Sequence, residues 1–490
     1  MLRPLIFSSF AIALAAAPAQ AQNVFIADLR GSSEVPPAAS PGSGFALVLF
    51  DRTFQNMTVR TTFSGLVANT VDAHIHCCVP PTANAVVAIG FRPAGFPLGV
   101  TGGQFSATFD LNNPAVYNPP FRTANGGTAA SARTALVNGT QAGLSYVNIH
   151  TSRFPGGELR GQLFTGGDLT PQALTLLPEV ALQTAEFQDG VIRRHLHHAR
   201  RGESGPDGQS AALGDGRVGL FLSGGLRFGA FDERANRPRV ALGSRGVIGG
   251  IDYRLGPATL IGAMAGYDSS EARLTPTSRQ SHVKSWFAGG YGSTALGPAF
   301  LDLYASYTRS DYDLSRRISV ATFTAESLAE TESEQWMLSG TAGLSLRASA
   351  LDVEPYVGAR YVSLDLDPFT ETGNIAALTI GGTDMESLES IVGLRVGADI
   401  PVGAAAFRPS VRAEWRHEFQ NDEPRLIGGS FGGAAPFDFM TTPLRDDHAV
   451  VGAGFSVAGG GPLSLAVDYT GQLGGGYDIH ALTGGLRLSF

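Results

Sequence analysis

The chain has 490 residues, room for two or more domains, with 63 glycines and only 16% charged residues against about 25% in typical soluble domains. Its net charge of −8 is spread along the chain, which excludes the clustered basic footprint of a nucleic-acid binder. No GxxxxGK[ST] loop and no HExxH motif occurs, and no stretch approaches about 18 uninterrupted apolar residues, so a helical membrane span is excluded as well.

The first segment, MLRPLIFSSFAIALAAAPAQAQ, has the layout of a secretory signal peptide over residues 1–21. Arg3 supplies the positive start, Leu5 to Ala17 an apolar run too short for a span, and Ala19-Gln20-Ala21 a small-x-small cleavage site. The mature chain is expected to begin near Gln22 and to fold outside the cytosol, where thiols oxidise.

Residues 22–165 alternate short strand-like runs with Pro, Gly and Asn clusters: FIADLRG, GFALVLFD, NMTVRTTFSGL, AHIH, AVVAIGF, GGQFSATFDL, ARTALVNG, SYVNIHT and ELRGQLF. About eight or nine strands with no helix predict a β-sandwich or a small barrel. No internal repeat is visible.

Within this part, VDAHIHCCVPP (71–81) carries two histidines one residue apart and both cysteines of the chain. On a strand, His74 and His76 project to one face with Cβ atoms about 7 Å apart, close enough for two imidazoles to converge on one ion. His150, which alternates with Asn148 in VNIHT, completes an N₃ set with an open position if its strand lies alongside. Copper or zinc would suit such a set; the alternative is three structural histidines bonded to backbone. Cys77 and Cys78 read either as a vicinal disulfide or as soft ligands added to the histidines. Glu158 and Arg160 share a strand face and read as a structural ion pair, with no catalytic role for any residue.

The stretches DLRGSSEVPP (28–37), AHIHC (73–77) and AGLSYVNIHTSRFPGGELRGQL (142–163) together resemble the CHRD (chordin-type) domain. The resemblance implies an immunoglobulin-like or superoxide-dismutase-like β-sandwich. Where that family often has Gly-Pro after the HIH, this chain has Cys77-Cys78.

Residues 166–216 form a connecting segment. LLPEVALQTAEFQDGVIRRHLHHARRG predicts a helix over about 178–200, with Pro178 in the first turn and Val180, Leu182, Ala185, Phe187, Val191, Ile192 and Leu196 near helical spacing. About 22 residues at ~1.5 Å each reach about 33 Å, the thickness of a membrane. Glu179, Glu186, Arg193 and Arg194 are placed to pair with a charged lumen, while His195, His197 and His198 are expected to answer the helix dipole. The polar RGESGPDGQSAALGDG (201–216) reads as a linker.

From residue 217 to 490, turn-rich punctuation separates alternating segments. Strands are predicted at 217–231, 243–255, 258–273, 281–295, 299–314, 331–348, 351–366, 387–401, 405–419, 445–458, 462–473 and 478–490, an even number as single-chain bacterial barrels have. In AFRPSVRAEWRHEF, Phe407, Val411, Ala413, Trp415 and Phe419 point one way and Arg408, Arg412, Glu414, Arg416 and Glu418 the other, an apolar outside and a wet inside. The closing ALTGGLRLSF repeats the pattern up to Phe490. With RAEWRHEF (412–419), DYTGQLGGGYDIHALTGGLRLSF (468–490) and the helical lead-in, residues from about 170 onward resemble the autotransporter β-domain.

That resemblance implies a twelve-stranded transmembrane barrel in the outer-membrane bilayer, inserted by the barrel assembly machinery. The barrel would export and display the N-terminal domain as a binding module for an unidentified surface ligand, metal among the candidates. A copper- or zinc-dependent redox passenger, or a pore with a periplasmic N-terminal domain, are the alternatives. The family often frees its passenger at an Asn-Asn pair inside the helix; no such pair stands here.

Overall fold

The computed structural model describes residues 24–51, 53–165, 177–200, 217–232, 239–274, 279–320, 323–420, 426–431, 437–440, 447–458 and 463–489. The expected signal peptide (1–21), the expected linker at 201–216 and Phe490 lie outside the described residues. The chain divides into two compact units, Met1–Gly167 and Asp168–Phe490.

The first unit is one antiparallel sheet of nine strands: β1 (Val24–Arg30), β2 (Ser43–Phe50), β3 (Asn56–Ser64), β4 (Thr70–His76), β5 (Val87–Gly90), β6 (Gly103–Asp110), β7 (Tyr146–Thr151), β8 (Leu159–Gln162) and β9 (Phe164–Thr165). Their order is β5-β4-β7-β8-β1-β2-β3-β6, with β9 also on β1. The all-β class expected from the pattern holds, and the sandwich takes the form of a continuous sheet curled into a half-barrel. Its inner face carries Phe25, Ala27 and Leu29 of β1, Val48 of β2, Ala73 and Ile75 of β4, and Val147 and Ile149 of β7 in one core.

Two helices correct the expectation of none: α1 (Pro119–Ala124) and α2 (Ala129–Gln141). The ARTALVNG run, read above as a strand, lies in α2. Thr128 and Ser131 form a capping box that starts the helix, and the buried Ala132, Leu136, Gly139 and Thr140 recur at three- and four-residue spacing. The β-branched Thr134 and Val137 imitate a strand, but the cap and the alanines prevail.

In the second unit, α3 (Leu177–Arg200) precedes twelve long strands. These are 218–231, 240–254, 259–274, 279–296, 299–320, 323–344, 351–366, 383–398, 405–418, 447–458, 463–474 and 477–489. Each pairs antiparallel with the next, and the first pairs with the last, Leu220 opposite Leu488 and Leu226 opposite Leu482, so the sheet closes on itself. Four short strands at 369–370, 378–380, 426–431 and 437–440 make a small additional sheet.

Alternation sorts the side chains as expected. Leu222, Phe228, Trp286, Trp336 and Trp415 are exposed on the outside, while Arg227, Asp252, Asp268, Arg360, Glu414 and Arg416 are buried inside. Outward aromatic pairs, Tyr267 with Trp286 and Tyr307 with Trp336, stand with ring centres 4.6 and 5.0 Å apart. No described helix is long and apolar enough to cross a membrane, which leaves a strand-built crossing untouched.

Helix α3, about 36 Å long at 1.5 Å per residue, is buried on nearly every face. Its charges meet strands all round the ring. Glu186 accepts from Arg360 and, at 2.7 Å, from Arg416; Arg193 lies 3.2 Å from Glu414; Arg194 lies 3.6 Å from Asp468; Arg200 pairs with Asp302. Partners on so many strands place the helix inside the barrel. The histidines at its C-terminal end do more than face the helix dipole. His195 lies 2.9 Å from Asp252 and His197 lies 2.8 Å from Glu354, so lumen carboxylates hold them.

Candidate metal centre

Strand β4 sends Ala73 and Ile75 into the core, where Cys77 follows just past its end, so Asp72, His74 and His76 occupy its other face. β7 does the same: Val147 and Ile149 go inward, and Tyr146, Asn148 and His150 share the polar face. The two strands are antiparallel neighbours, with Asp72 opposite His150, His74 opposite Asn148 and His76 opposite Tyr146. This pairing brings together the three histidines singled out from sequence. One ring nitrogen from each lies within 4.8 Å of the other two.

Each histidine has its second ring nitrogen fixed. His76 Nδ1 donates to the carbonyl of Ala85 at 2.9 Å, and His150 Nδ1 donates to that of Pro155 at 2.9 Å. His74 Nε2 faces the Asp72 carboxylate at 3.2 Å. Such outer partners set the tautomer of a metal-binding imidazole and orient its ring. They leave His74 Nδ1, His76 Nε2 and His150 Nε2 as lone-pair-bearing atoms. His76 Nε2 is buried without a hydrogen-bond partner, and His74 Nδ1 stands 3.1 Å from His150 Nε2. Two nitrogens about 2.0–2.1 Å from one ion, at angles between square and tetrahedral, lie roughly 2.9–3.4 Å apart, so this spacing suits a shared cation.

Electrostatics keep the rings neutral, the form a metal requires. Burial pulls His76 down to about 4, aided by the neighbouring His74 and His150 and opposed by its bond to Ala85. Burial also lowers His74, against the pull of Asp72, and lowers His150, against its bond to Pro155.

Supporting residues lie around the cluster that sequence reading had not connected with it. The His76 ring stacks on Tyr146 with centroids 4.7 Å apart and planes within 3°. The Arg160 guanidinium sits 3.6 Å from the centre of the Tyr146 ring. Arg160 also donates to Asn84 Oδ1 at 2.9 Å and to the carbonyls of Pro81 and Ala83 at 3.1 and 2.8 Å. It thereby clamps the loop whose Ala85 carbonyl orients His76. Arg160 and Glu158, expected to pair with each other, have other partners: Glu158 accepts from Ser40 Oγ, the Val67 amide and Thr151 Oγ1 at 2.6, 2.7 and 2.6 Å. Glu34, buried beside Asn148, is pushed up to about 7 by desolvation, against the Asn148 bond and the charge of Arg160.

The cysteines do not join the histidines. Cys77 and Cys78 are bonded to each other, and Cys77 belongs to the core on the opposite side of β4. Their sulfurs face α2, with Cys78 Sγ 3.5 Å from the Ala135 carbonyl and Gly139 too close to both to carry a side chain. In this arrangement the two sulfurs face away from the imidazoles and are joined to each other. One further spacing, Gly428-Gly429-Ser430-Phe431-Gly432, has the Gly-x-Ser-x-Gly form of a nucleophile elbow. Ser430, however, lies in a strand opposite Thr379 rather than at a strand-to-helix turn.

A family model described as the autotransporter beta-domain matches residues 220–470, just over half of the chain. The chain belongs to the autotransporter family. A second model, the CHRD domain, matches residues 25–163 and covers all the elements of the histidine cluster, so this autotransporter carries a CHRD domain ahead of its barrel. Two curated relatives, both extracellular serine proteases of Serratia marcescens, are 24% and 22% identical over 245 residues. That stretch is 50% of this chain and 23% of either relative, so the chain spans less than a quarter of their length. Among solved structures, the translocator domain of the autotransporter NalP from Neisseria meningitidis aligns over 64% of this chain and 99% of its own, with 17% identity and a TM-score of 0.48. The beta domain of the Bordetella autotransporter Brka aligns over 56% and 100%, with 17% identity and a TM-score of 0.42. The autotransporter barrel is an outer-membrane structure.

Proposed function

We propose that this outer-membrane autotransporter exports and displays its own CHRD domain at the cell surface, and that the domain works there as a metal-binding module. His74, His76 and His150 would hold one copper or zinc ion. The observation that carries this reading is the set of three neutral imidazoles whose inner nitrogens converge while each outer nitrogen is held by an oxygen. Imidazole donors suit both metals, and the absence of thiolate from the set favours neither sulfur-loving Cu(I) nor a structural Cys-rich zinc site. Insertion by the barrel assembly machinery and recognition of a surface ligand belong to the same proposal.

The test uses the full chain, extracted in detergent, loaded separately with copper and zinc, and desalted. One ion per chain is expected for the wild type and none for His76→Ala. A wild type that retains neither metal would retire the site and leave the domain as a disulfide-closed binding module. Display is read separately, by adding protease to intact cells. Loss of the CHRD domain supports surface exposure, whereas full protection would indicate a periplasmic domain behind a pore.

A further inference from the structure

The polar face that carries the histidines holds a second unsatisfied atom. Asn148 is 1% exposed, and its Oδ1 is buried without a hydrogen-bond partner. Its Nδ2 donates to Glu34 Oε1 at 2.7 Å, which fixes which way the amide points. Asn148 stands directly opposite His74 across the β4–β7 pair, where facing Cβ atoms are roughly 5 Å apart, and it precedes His150 by two on the same face. His76, whose Nε2 is also unpartnered, is its diagonal neighbour. A buried carbonyl oxygen left unpaired costs its full desolvation unless a donor reaches it. Three imidazoles leave an ion at least one position to fill.

We propose that Asn148 holds the fourth ligand of the histidine centre, a metal-bound water, by accepting its hydrogen at Oδ1, with Glu34 locking the amide in that orientation. Asn148 is then a positioning residue that selects a hydrogen-donating ligand over an anion that can only accept. This rests on the metal reading above.

The experiment loads the full-length protein with Cu(II) and titrates it with azide, which displaces the water, following the charge-transfer band. Asn148→Leu is expected to keep one copper per chain and to bind azide about three- to tenfold more tightly, because the water has lost one hydrogen bond. Asn148→Asp, of the same size and with a charged acceptor, is expected to bind azide more weakly than the wild type. Azide affinities within about twofold of the wild type in both copper-loaded variants would overturn the proposal. So would loss of copper from both variants in a folded chain, since Asn148 would then be needed by the ion itself. A wild type that takes up no copper would instead bring down the metal reading first, and this one with it.

Discussion

Two regions of this molecule bury polar side chains against a sheet, and they do it in opposite ways. In the barrel lumen, opposite charges meet: Glu186 sits between Arg360 and Arg416, and Arg193 lies 3.2 Å from Glu414. On the polar face of the CHRD sheet, like meets like: His74 Nδ1 and His150 Nε2 face each other at 3.1 Å, and His76 Nε2 has no partner. Paired charges complete one another and hold the helix in place. Converging lone pairs leave a valence that a cation could complete. Burial is common to both regions, so burial alone does not mark a site; the leftover valence does.

The largest expected effect breaks the lumen side of this contrast. Glu186→Ala leaves Arg360 and Arg416 without their helix carboxylate, and breaking a buried pair from one side costs about 3–5 kcal/mol. The temperature at which the purified barrel loses its compact electrophoretic migration should fall markedly. An unchanged transition would mean that the helix is not held by this network. The next effect sharpens the histidine side. Asp72→Asn removes the carboxylate behind His74 and is expected to weaken metal binding about 10–100-fold while leaving the fold intact. Competition with a chelator of known affinity reads this directly, and an unaltered constant would mean that the Asp72 carboxylate lends no support to a metal held through His74.

The smallest effect concerns Glu34. Its pKa in the folded domain is raised to about 7 from an ordinary 4.5. The folded state therefore holds a proton that the unfolded state has lost between those values. The associated stability is fully present below about 4.5 and disappears as pH rises through about 7. Glu34→Gln should remove that loss, so that metal-free variant and wild type differ more at pH 8 than at pH 5, by roughly 1–3 kcal/mol. Urea midpoints of the CHRD domain, followed by proteolytic susceptibility in the full chain, would show it; an equal difference at both pH values would exclude Glu34 as the source. His76 acts in the reverse sense. Its folded pKa near 4 lies below the unfolded 6.5, so stability falls as pH drops from 6.5 towards 4. Both slopes fall in overlapping windows and partly cancel in the wild type, which is why the single variant is informative.

Much of the architecture was legible in the residues themselves. The barrel strands follow a period of two strictly enough that Trp415 outside and Arg416 inside could be assigned from the sequence. The helix ahead of the barrel was visible in its apolar spacing, and its charges in their fit to an ionic lumen. ARTALVNG was not, because β-branched residues on a helix imitate a strand until the Thr128–Ser131 cap is recognised. The His74–His76 pair was legible because period two places both on one face. Its meeting with His150 required knowing that β4 and β7 are neighbours.

Local alternation, turn chemistry and charge placement thus lie in the sequence, since they depend on residues a few positions apart. Which strands pair, and hence which distant side chains face each other, is decided by the order in which the sheet assembles around its core. That strand order sets His150 beside His74, stacks Tyr146 on His76, and lets Arg160 tie down the loop that orients His76. Cys77 meanwhile turns to the far side of the sheet, where adjacency in sequence to His76 becomes separation by a sheet. Period two puts consecutive residues on opposite faces, so proximity along the chain works against proximity at the site.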